Sequence, residues 1–247
     1  MRALRILLII VVILGGLFVI ADRIAVHFAE GEAADKLKST ENLATTPDVS
    51  IDGFPFLTQV ASGSLDDVHV GIKNYEAQTG TAGKTIRIDD LQADMKGVSF
   101  SGDYSSATAS SATGTATVSY AELLRTAKSQ PTEVAPGIEA KVVGLSDGGN
   151  GKIKVAVRVT GSFLSVPINR TVSVLSSVTV ADNKVEVHAD SLPKLAAVSL
   201  AENRIRNITD FQQAIDRLPG GIKLDKVQAA EDGVRISVKG SDVKLAG

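Results

Sequence analysis

The chain has no cysteine and no tryptophan, and aromatic residues make up only 4% of its 247 residues. Without cysteine there are no disulfide bonds, no thiolate nucleophiles and no zinc sites built on thiolates. There is also no run rich in lysine or arginine, and the net charge of −2 provides no electrostatic footprint for nucleic acid. What remains is apolar: hydrophobic residues reach 44%, enough for the core of one large domain or two small ones.

Catalytic and cofactor motifs are also scarce. The stretch TGTAGKT, Thr79 to Thr85, ends like a phosphate-binding loop, but Gln78 stands where that motif needs its first glycine, so a hairpin turn is expected. The glycine-rich Asp147 to Gly151 also predicts a turn. His69 and His188 occupy the polar phase of predicted strands and should face solvent. The sequence therefore predicts no cofactor, no metal and no enzyme, with an unrecognised hydrolase as the remaining alternative.

The N-terminus carries an apolar segment. Arg2 and Arg5 precede an uninterrupted apolar run from Ile6 to Ala21, which is slightly shorter than a bilayer core. Two interpretations stay open: a transmembrane anchor, or a signal peptide cleaved after Ala21. The arginines favour a cytoplasmic N-terminus. We therefore expect residues 1–21 to be an anchor or signal segment at the plasma membrane, and residues 22–247 to form an extracytoplasmic domain.

Hydrophobic periodicity predicts the elements of that domain. Residues 22–43 form an amphipathic pattern that predicts a helix ending before Pro47, and period-two alternation around Val68 and Ile86 predicts antiparallel strands. A change of phase at Asp89-Asp90 indicates a bulge or turn that bends the sheet. The Ser/Thr/Ala-rich run 105–119 fits either a linker or an edge strand, and the strand is favoured.

Two short capped helices are predicted, one from Ser119 with Glu122 three residues on, and one from Thr209 with Gln212 in the equivalent place. Each is followed by Pro-Gly, a strand, an acidic-glycine turn and another strand, as in a degenerate repeat. In the first repeat, the charged residues Lys152, Lys154 and Arg158 face away from the apolar residues Ile153, Val155, Val157 and Val159, so one face is buried. The pattern predicts an α+β domain whose curved antiparallel sheet closes over helices.

Two proline-interrupted apolar segments connect these elements, GFPFL from Gly53 and SFLSVPINR from Ser162. Proline cannot donate to a ladder, so both belong at an edge or a mouth. Each segment is either a plug for the core or part of a lipid-facing opening. The residues that we expect to line an apolar lipid-binding mouth are Phe54, Pro55, Phe56, Leu57, Phe163, Leu164 and Val166.

At these residues the chain resembles the actinobacterial LmeA-like phospholipid-binding proteins of the cell envelope. The resemblance runs from about Ile6 to the C-terminus, and its specific part is VSIDGFPFLTQVASG followed by LDDVHVGI. The matching motif positions are Gly53, Phe54, Pro55, Phe56, Leu57 and Gly63. The resemblance implies a tubular lipid-binding fold, in which a strongly curved antiparallel sheet wraps around a long N-terminal helix. It also implies phospholipid binding without catalysis.

These observations favour a membrane-anchored, extracytoplasmic protein that holds or shuttles a phospholipid, in envelope lipid or lipoglycan maintenance. Its expected partners are a phospholipid and the membrane, with an envelope biosynthesis enzyme as a further partner. The alternative is a scaffold without lipid that contacts an envelope glycosyltransferase or another envelope enzyme. A basic head-group site is a further hypothesis, set against a merely solvated charged surface, and would involve Arg204, Arg206, Arg217 and Lys223.

Overall fold

The computed structural model describes residues 2–78, 85–103, 105–126, 131–163, 166–181, 184–190, 211–214 and 221–246. Over these residues the chain is α+β, with a long N-terminal helix and a curled antiparallel sheet, as the sequence predicts. The described helices are α1 (Arg2–Thr40), α2 (Phe56–Ala61) and α3 (Tyr120–Thr126). The described strands are β1 (Asp48–Asp52), β2 (Ser64–Gln78), β3 (Thr85–Phe100), β4 (Ala107–Ser119), β5 (Thr132–Ala135), β6 (Ile138–Gly149), β7 (Lys152–Phe163), β8 (Val166–Ala181), β9 (Lys184–Ala189), β10 (Phe211–Ala214), β11 (Ile222–Ala229) and β12 (Gly233–Ala246).

The strands form two six-stranded sheets. The first sheet has the order β1-β2-β3-β4-β12-β11, and the second has the order β10-β9-β8-β7-β6-β5. All neighbours are antiparallel, and most are joined by hairpins. The exceptions in the first sheet are the β1–β2 pair, which is connected through α2, and the β4–β12 pair, which brings the C-terminal hairpin back beside a strand more than a hundred residues earlier.

Helix α1 is continuous from the apolar N-terminal run into the amphipathic segment. Its apolar half is exposed along its length, and it is the one helix in the described part of the chain that is long and apolar enough to cross a membrane. Its second half buries Val26 and Ala34 against the first sheet. The Ile51 N–H of β1 donates to the Glu30 carboxylate at 2.9 Å, so α1 covers that edge strand. The helix ends at Thr40, several residues before Pro47.

Two apolar clusters lie at opposite ends of the first sheet. The α1 cluster consists of Val26, Ile51, Phe56, Leu65, Val98 and Ala109. The hairpin cluster packs the two sheets together and consists of Tyr120, Val134, Ile138, Ala140, Ile153, Val155, Val157, Val159, Leu224, Val227 and Val234. Burial of the alternating valines of β7 confirms the inward face that the sequence predicts.

Three local expectations need correction. The Ser/Thr/Ala-rich run is a strand, but β4 lies inside the first sheet between β3 and β12 and not at an edge. Strand β3 continues through Asp89 and Asp90 without a register shift, and the irregularity lies on β2, where Asn74 has a φ of 54°. The helix predicted from Thr209 is wrong at least over Phe211–Ala214, which pairs with β9 as a strand. Cross-strand pairing there outweighs the local helical pattern. The other residues of the predicted helix lie outside the described ranges.

Helix α3 confirms the first capped helix, although its polar contacts differ from a capping box. The Ser119 N–H donates to the Asp89 carboxylate at 3.2 Å. The Glu122 carboxylate instead accepts from the Arg87 N–H at 2.8 Å and from the Arg125 guanidinium. The predicted turn at Asp147 to Gly151 is also confirmed, because β6 and β7 are joined at Asn150 and Gly151, both with positive φ.

Candidate functional site

The GFPFL segment lies between β1 and β2 and beside α1. Gly53 has a φ of 104°, which a side chain rarely tolerates, and the Phe54–Pro55 peptide bond is cis. Phe56 then begins the short helix α2. The segment therefore leaves the edge strand through a sharp turn and returns to the sheet through α2, as expected for a proline-interrupted connection.

The two phenylalanines of this segment face opposite ways. Phe56 is 7% exposed and packs in the α1 cluster, where it holds α2 against the sheet. Phe54 is 58% exposed, and Leu57 is 37% exposed. The segment thus combines both expected roles: Phe56 is a plug for the core, and Phe54 and Leu57 present an apolar surface outside it.

Asp22 and Arg23 connect this segment to α1. The Asp22 side chain is fully buried, and its carboxylate accepts hydrogen bonds from the Leu57 N–H at 2.8 Å and from Arg23 at 2.6 Å. The Arg23 guanidinium also lies 3.4 Å from the Gly53 carbonyl oxygen and 5.3 Å from the centre of the Phe54 ring. Together these contacts, which we name the Asp22 joint, hold the GFPFL segment against the first charged turn after the apolar run.

The sequence gives little warning of this joint. Asp22 and Leu57 are thirty-five positions apart, so no local pattern links them. The available signal is the position of Asp22, an acidic residue directly after an apolar run and ahead of an amphipathic helix. A buried carboxylate must find hydrogen-bond donors, and the free N–H groups at the start of α2 provide them.

Between the two clusters, the inner face of the first sheet carries apolar side chains that are only half buried. Val70 pairs with Ala93, and Leu91 pairs with both Ile72 and Ala116. Ile72 is buried, whereas the other four residues are half buried and belong to neither cluster, and we name these four the inner strip: Val70, Leu91, Ala93 and Ala116. The β4 residues bordering it, Ala112 and Gly114, are small and buried, and the Val238 side chain of β12 lies against Gly114.

The second predicted mouth segment lies in the other sheet. Val166 begins β8, pairs with Phe163 at the end of β7, and is 64% exposed. Leu164 lies outside the described residues, as does the side chain of Phe163. The structure therefore places GFPFL beside α1 and the second segment at the tip of the β7–β8 hairpin.

Of the predicted head-group residues, Lys223 alone lies within the described ranges. It is exposed on β11 and pairs in register with Lys239, on the face opposite Leu224 and its cluster. Arg204, Arg206 and Arg217 lie outside the described residues. Lys223 therefore lies on the outer face of the first sheet, whereas the inner strip lies on the inner face.

Within the described residues, the histidines do not belong to a cluster of metal-binding side chains. His69 lies on the outer face of β2, where its Nδ1 is 2.7 Å from the Asp94 carboxylate, and that hydrogen bond raises the pKa of His69. His188 is exposed, and its neighbours Val187 and Ala189 are buried. Within the described ranges, no group of three or more acidic or histidine side chains is arranged to hold a metal ion.

Over the described residues, the chain combines a long helix packed on a curled antiparallel sheet with a half-buried apolar inner strip. A family model described as LmeA-like phospholipid-binding matches residues 20–239. The chain therefore belongs to the LmeA-like phospholipid-binding family. No curated protein and no solved structure matches this chain.

Proposed function

We propose that this protein holds or shuttles one phospholipid on the inner face of its first sheet, outside the cytoplasm, in maintenance of envelope lipids or lipoglycans. The observation that carries the proposal is the inner strip, an apolar surface that is only half buried between two well-packed clusters. Membership of a phospholipid-binding family supports the class of ligand.

The inner strip suits a hydrocarbon chain. Its residues lie on three adjacent strands, and the half-buried Val238 of β12 continues the face beyond Gly114. With strands about 4.8 Å apart, this face is roughly 14 Å wide from β2 to β12. Each methylene that leaves water there contributes about 0.8 kcal/mol, so burial of one acyl chain supplies enough free energy for binding without a catalytic group.

The N-terminal helix supports a membrane location. Helix α1 as a whole is long and apolar enough to act as an anchor, and the residues of its apolar half are exposed in the isolated chain. Arg2 and Arg5 precede it, and positive charge favours the cytoplasmic side, which places the body on the outer side. In this arrangement the first sheet receives lipid from the membrane in which its own helix is embedded.

The proposal is tested by filling the inner strip. Ala116→Phe adds an aromatic ring to the inner face, and Thr115→Phe adds the same ring to the exposed outer face of the same strand. We expect Ala116→Phe to lose most uptake of a fluorescent phosphatidylcholine from donor vesicles, and Thr115→Phe to retain uptake, with both proteins giving the wild-type circular dichroism spectrum. Equal uptake by the two variants would show that the inner strip is not part of the lipid-binding site.

A further inference from the structure

We propose that Phe54 and Leu57 form a contact surface for the lipid bilayer, held at the boundary between hydrocarbon and head groups by the Asp22 joint. This inference rests on the proposed membrane location of α1. It goes beyond lipid binding in the sheet, because it identifies the surface by which the folded domain sits on the membrane and the residues that fix its height.

The level of the surface follows from the length of the apolar run. The sixteen residues from Ile6 to Ala21 span about 24 Å as a helix, about 6 Å less than a typical hydrocarbon core of about 30 Å. Asp22 and Arg23 follow immediately. When α1 crosses the bilayer, the Asp22 joint therefore lies at the outer boundary of the hydrocarbon, where a short span needs additional apolar surface.

The Asp22 joint places the GFPFL segment at the same depth in the bilayer as the end of the apolar run. Asp22 binds the Leu57 N–H at 2.8 Å, and Arg23 lies over the Phe54 ring at 5.3 Å from its centre. Both contacts come from consecutive residues of one helical turn. Phe54 and Leu57 thus lie within a few ångströms of the point where α1 leaves the apolar run, whatever the tilt of the helix.

The side chains at this level are apolar and already ordered. Phe54 is exposed although it follows a tightly turned backbone, and the buried ring of Phe56 fixes the segment from behind. On α1, the exposed Ile24 and Phe28 line a shallow hollow together with Ile20 and Arg23, so apolar surface continues for another turn of the helix. Insertion of such a preformed surface costs little conformational entropy.

The charges around the segment point to a hydrophobic contact and not an electrostatic one. Arg23 is paired with Asp22, and the exposed residues flanking the turn, Asp52 and Asp66, are acidic. Such a surface gains nothing from anionic head groups. The partner that fits is the interfacial region of a bilayer, including one made only of zwitterionic lipid.

The absence of tryptophan makes a direct test possible. Phe54→Trp places a single fluorescent probe in the segment, and Glu231→Trp places one in the exposed β11–β12 turn. That turn adjoins the Ser119 end of β4, whereas the α1 cluster lies at the Ala107 end, about 40 Å away along the strand. Both full-length variants are reconstituted in phosphatidylcholine vesicles with and without phosphatidylcholine brominated near the head group.

We expect Trp emission of the Phe54→Trp protein to shift to the blue and to lose most of its intensity with brominated lipid, and emission of the Glu231→Trp protein to change little. Leu57→Trp serves as a second probe and should behave like Phe54→Trp. Equal quenching at both sites would overturn the proposal. A blue shift without quenching would also overturn the proposal, because it would show that the probe contacts protein and not lipid.

The outcome can be separated from that of the proposed function by adding Ala116→Phe to the Phe54→Trp protein. Quenching should persist in the double variant, since the bilayer and not a lipid in the sheet supplies the bromine. Loss of quenching in the double variant would show that the probe reports a bound lipid and would overturn the membrane contact. Quenching that persists while Ala116→Phe retains full lipid uptake would reject the inner strip and keep the contact surface.

Discussion

At the scale of single residues, the chain uses one short segment for two purposes. Phe56 completes the α1 cluster, and Phe54 lies outside it, beneath the Arg23 guanidinium. The buried Asp22 carboxylate joins the segment to the helix through a backbone hydrogen bond and an ion pair. Local sequence predicts that the segment is apolar. It does not predict which of the two phenylalanine rings is buried, because that depends on which ring faces the sheet.

The contrast between the two phenylalanines is testable by alanine substitution. Phe56→Ala removes a buried ring and leaves a cavity in the α1 cluster, so we expect a loss of about 3–5 kcal/mol in the free energy of unfolding. Phe54→Ala removes an exposed ring and a cation–π contact, and should cost about 1 kcal/mol or less. Urea denaturation followed by circular dichroism measures both. A larger effect for Phe54→Ala would mean that its ring is a core residue.

Glu122 gives a pH dependence of known sign. The Arg125 guanidinium and the Arg87 N–H hold the pKa of its carboxyl at about 2, below the ordinary value of 4.5. Since the folded pKa is depressed, this stabilisation is complete above pH 4.5 and is lost as the pH falls toward 2. Thermal unfolding between these pH values should show a smaller decrease in Tm for Glu122→Gln than for the wild type. The same decrease in both proteins would contradict the assignment.

At the scale of elements, local patterns predict well where the strands lie, but they predict poorly which strands pair with each other. Alternation of valine with charged residues identifies β7 and its buried face, because a strand with one wet face needs that pattern. The interior place of β4 depends on its pairing with β12, which follows more than a hundred residues later. The strand at Phe211–Ala214 likewise depends on β9. The Asp22 joint escaped prediction for the same reason.

Element packing also makes one glycine irreplaceable. Gly161 on β7 has a φ of 145°, and a Cβ there would lie 2.1 Å from the Gly137 carbonyl oxygen, which precedes β6. Gly161→Ala should therefore lower the free energy of unfolding by more than about 1 kcal/mol. Gly102→Ala is the control, because nothing lies within 4 Å of its Cβ position. Chemical denaturation that finds the two variants equally stable would show that β6 and β7 separate readily.

At the scale of the whole molecule, α1 sets the direction of the first sheet. Along α1, Asp22 contacts Leu57, Glu30 contacts Ile51, and Lys38 contacts Thr46. The helix therefore runs antiparallel to β1 and parallel to β2, from the α1 cluster toward the hairpin cluster. In the proposed arrangement the contact surface of Phe54 and Leu57 lies at the membrane, the α1 cluster follows it, and the inner strip lies beyond that cluster.

The central claim is that the inner strip holds a lipid, and native mass spectrometry of the full chain released from detergent micelles tests it most directly. We expect a peak for the chain carrying one phospholipid in the wild-type protein and in Thr115→Phe, and loss of that peak in Ala116→Phe. A wild-type spectrum with the unliganded chain alone, after incubation with phospholipid vesicles, would show that the inner strip does not hold a lipid.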